Sequence, residues 1–244
     1  MTPGSSHPPL VSVIIPVYDG ARHLGAALDS VVAQDYRPLE IIVVDDGSND
    51  GSGEIAGRYP DVRCLCQEHR GVSAARNAGV SAATGRLLAF LDADDLWLPT
   101  KLTRQVECFA SRPEIEYCFT LHRWFLDPGV SRPSWTKPEQ FDQDNVAYVP
   151  SSMMLRAETM ARVGGFDPSR TIGEDSDWFF RARDLGVAMA VVPEVLLLKR
   201  VHTANLTGQV SRSQRELLDI VHRSIQRRGG RATPPASRET TDGS

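Results

Sequence analysis

The chain has 244 residues, 27 Lys and Arg against 31 Asp and Glu, a formal charge of −4, and 41% hydrophobic and 24% charged residues. That composition excludes a wholly disordered chain, a collagen and a disulfide-stapled miniprotein, and the mild negative charge argues against a dedicated nucleic-acid binder. At about 150 residues per domain the length accommodates one domain with an appendage, large enough to bury about 70–75% of its extended surface without a metal or disulfide staple.

Met1–Pro9 is a Pro/Gly/Ser leader without the basic start and apolar stretch of a secretory signal, and is expected to be flexible. Val11–Ile15 is a β-branched run closed by Pro16. Ala21–Ala33 has helical spacing, with Leu24, Leu28 and Val31/Val32 on one side. Glu40–Val44 is a second apolar run; both runs are too short for helices and too continuously apolar for half-exposed strands, so they read as buried parallel strands. A helix over Gly51–Tyr59, a strand over Val62–Cys66, a helix over Val72–Ala82 and a strand over Arg86–Leu91 follow. This α/β alternation predicts an open, mainly parallel sheet flanked by helices, in a single globular domain over residues 10–210. Cys64, Cys66, Cys108 and Cys118 lack zinc-ligand spacing and read as reduced, mostly buried thiols.

The second half is less regular. Pro99–Ala110 reads as a helix, Glu116–Phe125 as a strand, and Asp127–Asn145 as a long loop. Helices over Arg156–Val163 and Asp175–Leu185 precede strands over Val187–Val192 and Val195–Val201. Ser211–Arg228 is a helix with Leu217, Leu218, Val221 and Ile225 on one side; from Ser211 onward there are seven arginines against four acids. Two readings fit it: docking on the domain, which is preferred, or peripheral contact with an anionic membrane surface. Gly229–Ser244 has a disordered composition. No apolar run approaches about 18 residues, so no transmembrane helix is expected and the location expected is cytoplasmic.

In open α/β sheets, ligands sit beyond the carboxyl ends of the strands. Three such ends carry polar signatures: Pro16-Val17-Tyr18-Asp19, Asp45-Asp46-Gly47-Ser48 and Asp92-Ala93-Asp94-Asp95. Three carboxylates at one strand end repel one another unless a cation or strong donors neutralise them, and hard oxygen ligands select Mg²⁺ or Mn²⁺. An exposed turn capping the next helix accounts for the same segment equally well. Asp46 reads either as part of a strand-to-helix turn or as an acceptor for a nucleobase N–H. Arg76 becomes an anion clamp only if a ligand occupies this rim.

Taken together and in order, Pro16-Val17-Tyr18, Asp45-Asp46-Gly47-Ser48, Gly71-Val72-Ser73-Ala74-Ala75-Arg76-Asn77-x-Gly79, Leu91-Asp92-Ala93-Asp94-Asp95, Val163-Gly164-Gly165-Phe166-Asp167, Gly173-Glu174-Asp175 with Trp178, and Arg200-Val201-His202 are far more specific. The set resembles the family 2 glycosyltransferases, which have the GT-A fold, over roughly Val11 to Thr207. The resemblance implies metal-dependent inverting transfer of a sugar from a nucleotide-diphosphate sugar, a UDP-sugar first among them, to an acceptor hydroxyl on a glycan, lipid, natural product or peptide. Pro16 and Tyr18 lie where the family holds the nucleoside, Asp46 where it reads the base, and Arg76 near base and phosphates. Asp94 is the metal-ligand candidate of the Asp-x-Asp pair. Asp92 falls on ribose or on a metal-bound water, and Asp95 supports the pair or caps the next helix. Asp175 matches the general base, with Glu174 its rival. His202, in the Arg-x-His segment, is expected near the metal, Mn²⁺ or Mg²⁺, or the diphosphate.

Trp135 is the preferred acceptor contact. Trp178 reads as acceptor platform or core, and Trp97 as structural. A nucleotidyltransferase is the rival enzyme class, but it wants a Gly-rich basic loop where Pro16-Val17-Tyr18-Asp19-Gly20 stands. The third class is a non-catalytic nucleotide-sugar-binding module, against which the acids at 92, 94 and 175 argue.

Overall fold

A computed structural model describes residues 7–134, 136–146, 148–170, 172–202 and 210–229. Strands β1 (Val11–Val17), β2 (Leu39–Asp45), β3 (Val62–Cys66) and β4 (Leu87–Phe90) lie parallel in the spatial order β3-β2-β1-β4. Helices α1 (Ala21–Val32), α2 (Ser52–Ala56) and α3 (Val72–Ala82) connect them. Every residue of β1 is buried. Val11, Val13, Ile15 and Val17 share a core with α1, α2 and α4 (Lys101–Ser111), while Ile14 belongs to the core on the opposite face. Side chains alternate between faces, so a strand covered on both must be apolar throughout.

Beyond β4 the sheet becomes mixed. β8 (Met154–Arg156) lies antiparallel between β4 and β6 (Tyr117–Leu126). β9 (Met189–Val201) runs parallel to β6, and the two-residue strands β5 (Leu96–Trp97) and β7 (Asn145–Val146) add antiparallel pairs to β9 and β6. The two strands expected over 187–201 are one. Register with β6 shifts after Thr120, which leaves Pro193 and Glu194 outside the pairing. Proline has no N–H to give a ladder, and a bulge absorbs it without ending the strand. The expected loop over 127–145 contains a short helix, α5 (Glu139–Asp142), and the start of β7.

Helices α6 (Ala157–Val163) and α7 (Glu174–Asp184) cover the second face around Phe90, Phe166 and Trp178. Helix α8 (Val210–Gly229) packs on α7, as the preferred reading of the tail holds, but not through its leucine stripe. Ile220 and Ser224 are buried there, Arg170 bonds both Glu216 and Asp219, and Asp184 accepts from Ser224 and Arg227. Leu217, Leu218 and Ile225 stay exposed. Among the described residues no helix is long and apolar enough to cross a membrane. Cys108 and Cys118 are buried, whereas Cys66 is exposed and Cys64 half-buried, because β3 is the edge strand.

Helix α3 can lie close to β1 because residue 79 is glycine: a Cβ there would stand 2.4 Å from Ile14 Cγ2 and 3.3 Å from Val44 Cγ2. Gly79→Ala is therefore expected to destabilise by about 1–3 kcal/mol through overpacking, despite the better helix propensity of alanine. A lower urea midpoint at unchanged m would show it.

Candidate active site

The loops after β1 and β2 are laced together. Asp46 N donates to Val17 O (2.8 Å), Asp19 N to Ser48 Oγ (3.0 Å), Gly20 N to Ser52 Oγ (3.0 Å) and Ala21 N to Asp50 Oδ2 (2.8 Å). Asp19 adopts φ 46°, a left-handed conformation that Asp tolerates better than most residues. On this fixed rim Tyr18 stands 48% exposed, while Pro16 is buried in β1 opposite Val44.

Across the rim, the carboxylates of Asp92, Asp94 and Asp95 lie within 4.8 Å of one another. They are not equivalent. Asp92 and Asp94 are each about a quarter exposed. Asp95 is fully buried and accepts from Lys199 Nζ (3.2 Å) and Arg200 N (3.0 Å). Burial pushes the Asp95 carboxyl up, to about 7, against the pull of Lys199. Burial would lower Lys199, but the surrounding carboxylates of Asp95, Asp92 and Asp94 reverse this and keep it charged. Arg200 Nε also donates to Asp94 O (2.8 Å). The end of β9 is thus pinned to the acid turn, and His202 Nε2 comes to 2.9 Å from Asp94 Oδ2. His23 packs behind, its ring centre 5.1 Å from that of His202, beside Asp127. Asp92 is buttressed from below: its N–H donates to Ser151 Oγ, and Trp97 Nε1 donates to Ser151 O (2.7 Å). Trp97 is buried, with the Lys101 ammonium 3.9 Å from its ring centre, a structural role as expected.

Arg76 connects this cluster to α7. Its guanidinium is buried, with Nη2 2.7 Å from Asp92 Oδ1 and Nη1 2.8 Å from Glu174 Oε1. Burial raises the Asp92 carboxyl, but Arg76, Lys199 and hydrogen bonds outweigh it and hold the group below the usual carboxylate range. Glu174 is committed to Arg76. The adjacent Asp175 has its Oδ1 on Ser176 N (2.6 Å). Burial, reinforced by the charge on Glu174, pushes its carboxyl up to about 6 against Arg76. Gly173, at φ 78°, turns the chain into the helix. Asn77 fixes the preceding segment by exchanging two hydrogen bonds with Phe166 (2.7 and 2.9 Å), and a Cβ at Gly165 would strike its Oδ1 at 2.6 Å.

Asp46 is buried, and its carboxylate is fully engaged. Oδ1 accepts from Gln67 Nε2 (2.6 Å) and Arg70 N (2.9 Å); Oδ2 accepts from Gly71 N (2.8 Å) and meets His69 Nδ1 at 2.9 Å. The His69 ring stacks on Tyr18, with centres 3.9 Å apart and planes at 29°.

The structure therefore gathers Tyr18, Asp46, Arg76, Asp92, Asp94, Asp175 and His202 along the rim beyond the carboxyl ends of β1, β2 and β4. Trp178 is fully buried with Nε1 on Gly164 O, so it belongs to the core, and Trp135 lies outside the described residues. Sequence reasoning missed His69, the Glu174 tether, the Lys199 and Arg200 pins, and an aromatic ladder. That ladder runs from exposed Tyr148 through Phe119 to Phe179, one helical turn beyond Asp175. Only Lys199 and Arg200 had a signal, their adjacency to His202.

The profile described as Glycosyl transferase family 2 matches residues 12–167. The chain belongs to glycosyltransferase family 2. An uncharacterized glycosyltransferase of Rickettsia prowazekii is 30% identical over 228 residues, 87% of this chain and 70% of its own length. WfaP of Escherichia coli, a UDP-Glc:alpha-D-GlcNAc-diphosphoundecaprenol beta-1,3-glucosyltransferase, is 38% identical over 100 residues, 40% of each chain. Among solved structures, the mannosyltransferase PcManGT from Pyrobaculum calidifontis, in complex with GDP-Man and Mn²⁺, superposes with a TM-score of 0.70 at 23% identity, covering 91% of this chain and 65% of that one. TarS of S. aureus with UDP-GlcNAc gives 0.70 at 17% identity, covering 89% and 66%. The family 2 chain thus has the GT-A fold and spans about two thirds of the length of these solved relatives.

Proposed function

We propose that this family 2 domain transfers a sugar from a nucleotide-diphosphate sugar to an acceptor hydroxyl in one inverting displacement. The observation that carries the reading is the Asp92–Arg76–Glu174 bridge, which sets the acid turn beside His202 on one side and the raised carboxyl of Asp175 on the other. The donor class is supported by the relatives, which bind UDP-GlcNAc or GDP-Man, or use UDP-Glc.

The two part-exposed carboxylates of the acid turn and one imidazole suit Mn²⁺ or Mg²⁺. Asp94 and His202 would hold the ion, with Asp92 beside them; bound there, it would neutralise charge developing on the leaving diphosphate. Tyr18 stacks on the base, and Asp46 accepts a ring N–H, which uracil, thymine and guanine all possess. Arg76 holds Asp92 and faces the diphosphate end of the donor. Asp175 takes the proton of the acceptor hydroxyl as its oxygen bonds to the anomeric carbon. The bond from that carbon to the diphosphate breaks, and the nucleoside diphosphate leaves with the electron pair. Residues 10–210 form the transferase unit in this reading, in the cytoplasm.

The test is a thermal-shift and hydrolysis screen of UDP-, GDP- and dTDP-sugars with Mn²⁺ or with EDTA. A matching donor at 100 times its Kd stabilises by about 2.7 kcal/mol. Asp94→Asn is expected to keep the fold and lose the Mn²⁺-dependent part of nucleotide affinity, and His202→Ala to weaken it less. Equal stabilisation by nucleotide in EDTA, or an unchanged Asp94→Asn variant, overturns the metal assignment.

A further inference from the structure

His69 occupies its place in a way that mimics a ligand. The Tyr18 ring and the Asp46 carboxylate are the two groups that the proposed function assigns to the nucleobase, and His69 already satisfies both. Its ring lies 3.9 Å from that of Tyr18, and its Nδ1 lies 2.9 Å from Asp46 Oδ2 and 3.2 Å from Asp46 O. Both neighbours of Nδ1 are acceptors, so Nδ1 carries a proton and donates. A planar ring, a π-face on an aromatic and a ring N–H on a carboxylate are what a uracil, thymine or guanine would present.

We propose that His69 is an internal placeholder for the nucleobase: its imidazole fills the base subsite in the free protein, and a donor enters by displacing it. The inference rests on the donor reading above. The four partners of Asp46 show which one yields. A carboxylate has about four lone-pair positions, and here all four are taken. Arg70 N and Gly71 N are backbone donors within the turn that leads into α3, and Gln67 is a half-buried side chain beside the β2–β3 pairing. His69 alone is a side chain more than half exposed, at 55%, so it can rotate into water without disturbing the turn. While His69 is out, Asp46 keeps three donors and offers one vacant position to a ring N–H. Adenine and cytosine present an acceptor nitrogen at the corresponding ring position and cannot replace the imidazole N–H.

An occupied subsite lowers the apparent affinity of every base that must enter it by the fraction of time the pocket is open. It leaves untouched a ligand that uses only the metal and diphosphate end. The experiment is calorimetric titration of UDP, GDP, dTDP and pyrophosphate, each with Mn²⁺, into the full chain, His69→Ala and Tyr18→Ala. For a pocket open about a tenth of the time, His69→Ala should bind the preferred nucleotide about tenfold more tightly and pyrophosphate as wild type does. In ¹⁵N-labelled wild type, the His69 ring signals should move when that nucleotide saturates the protein. Nucleotide affinity equal to or below wild type in His69→Ala, or His69 signals unmoved at saturation, overturns the proposal. Tyr18→Ala separates this failure from failure of the donor reading. It should lose nucleotide but not pyrophosphate affinity, and if nucleotide affinity is unchanged there, Tyr18 holds no base and both readings fall.

Discussion

Asp175→Asn is expected to lower kcat about 10²–10⁴-fold, the scale of a lost general base, with fold and donor affinity retained. The residue is the second of α7, behind the Gly173 N-cap, and its Oδ1 accepts from Ser176 N; asparagine keeps that acceptor, so a role confined to the helix terminus would leave activity near normal. The helix N-terminus favours the ionised carboxylate, but burial and the neighbouring Glu174 win and hold the group at about 6. A base must be ionised, so the wild-type rate should rise with pH through about 6 and level off above it, and Asp175→Asn should lose that limb. The same shift has a stability sign. The folded value lies above the unfolded one of about 3.9, so its stabilising contribution is full below that value and fades as pH rises through 6. Asp175→Asn should therefore be no less stable than wild type at pH 7.5. Rates with the true acceptor from pH 5 to 8, with thermal melts alongside, test both points. Near-normal transfer would move the base to Glu174, whose Oε1 the structure commits to Arg76.

Arg76→Met should destabilise the protein by about 3–5 kcal/mol at neutral pH, the range for removing one partner of a buried ion pair. The guanidinium is 3% exposed, bridges Asp92 and Glu174, and lies 5.4 Å from the centre of the Phe166 ring. Without it the carboxylates of Asp92, Glu174 and Asp175 face one another with no cation between them. The pH dependence follows from Asp92, whose carboxyl is held below its usual range. A lowered folded value stabilises above the unfolded value of about 3.9 and is lost as pH falls through the folded one. The gap between wild type and Arg76→Met should therefore be full at pH 7.5 and narrow only below about pH 4, towards about pH 3. Arg76→Lys should fall between, since an ammonium keeps the charge but not the planar fork that reaches both acids. Adding Glu174→Gln to Arg76→Met should recover part of the loss, because one stranded charge is removed. Urea midpoints at the two pH values decide it, and equal stability of Arg76→Met and wild type at pH 7.5 would show that the bridge holds nothing.

The sequence alone carries the alternation of buried strands and helices, because a parallel strand covered on both faces must be apolar nearly throughout, as β1 is. It carries the Asp-x-Asp turn as well, since three adjacent carboxylates at a strand end are a local fact of covalent order. Only the family resemblance ranked Asp175 above Glu174; their order in the chain did not. Neighbouring acids at a helix start differ only in which one meets a buried cation, and Arg76 reaches Glu174 across 98 residues of chain. Nor could it place Trp178: an aromatic on an amphipathic helix faces core or cleft according to what packs over it, and Phe166 and Tyr117 pack over it here. The tail helix was legible as a helix, but its contact face was not, because Arg170 and Asp184 select its polar side through ion pairs that no hydrophobic period records. Asp46 and Tyr18 were legible as candidates one by one. That a histidine between β3 and α3 fills the space between them was decided only by the tertiary fold, because stacking and hydrogen-bond distances depend on where three separate loops meet.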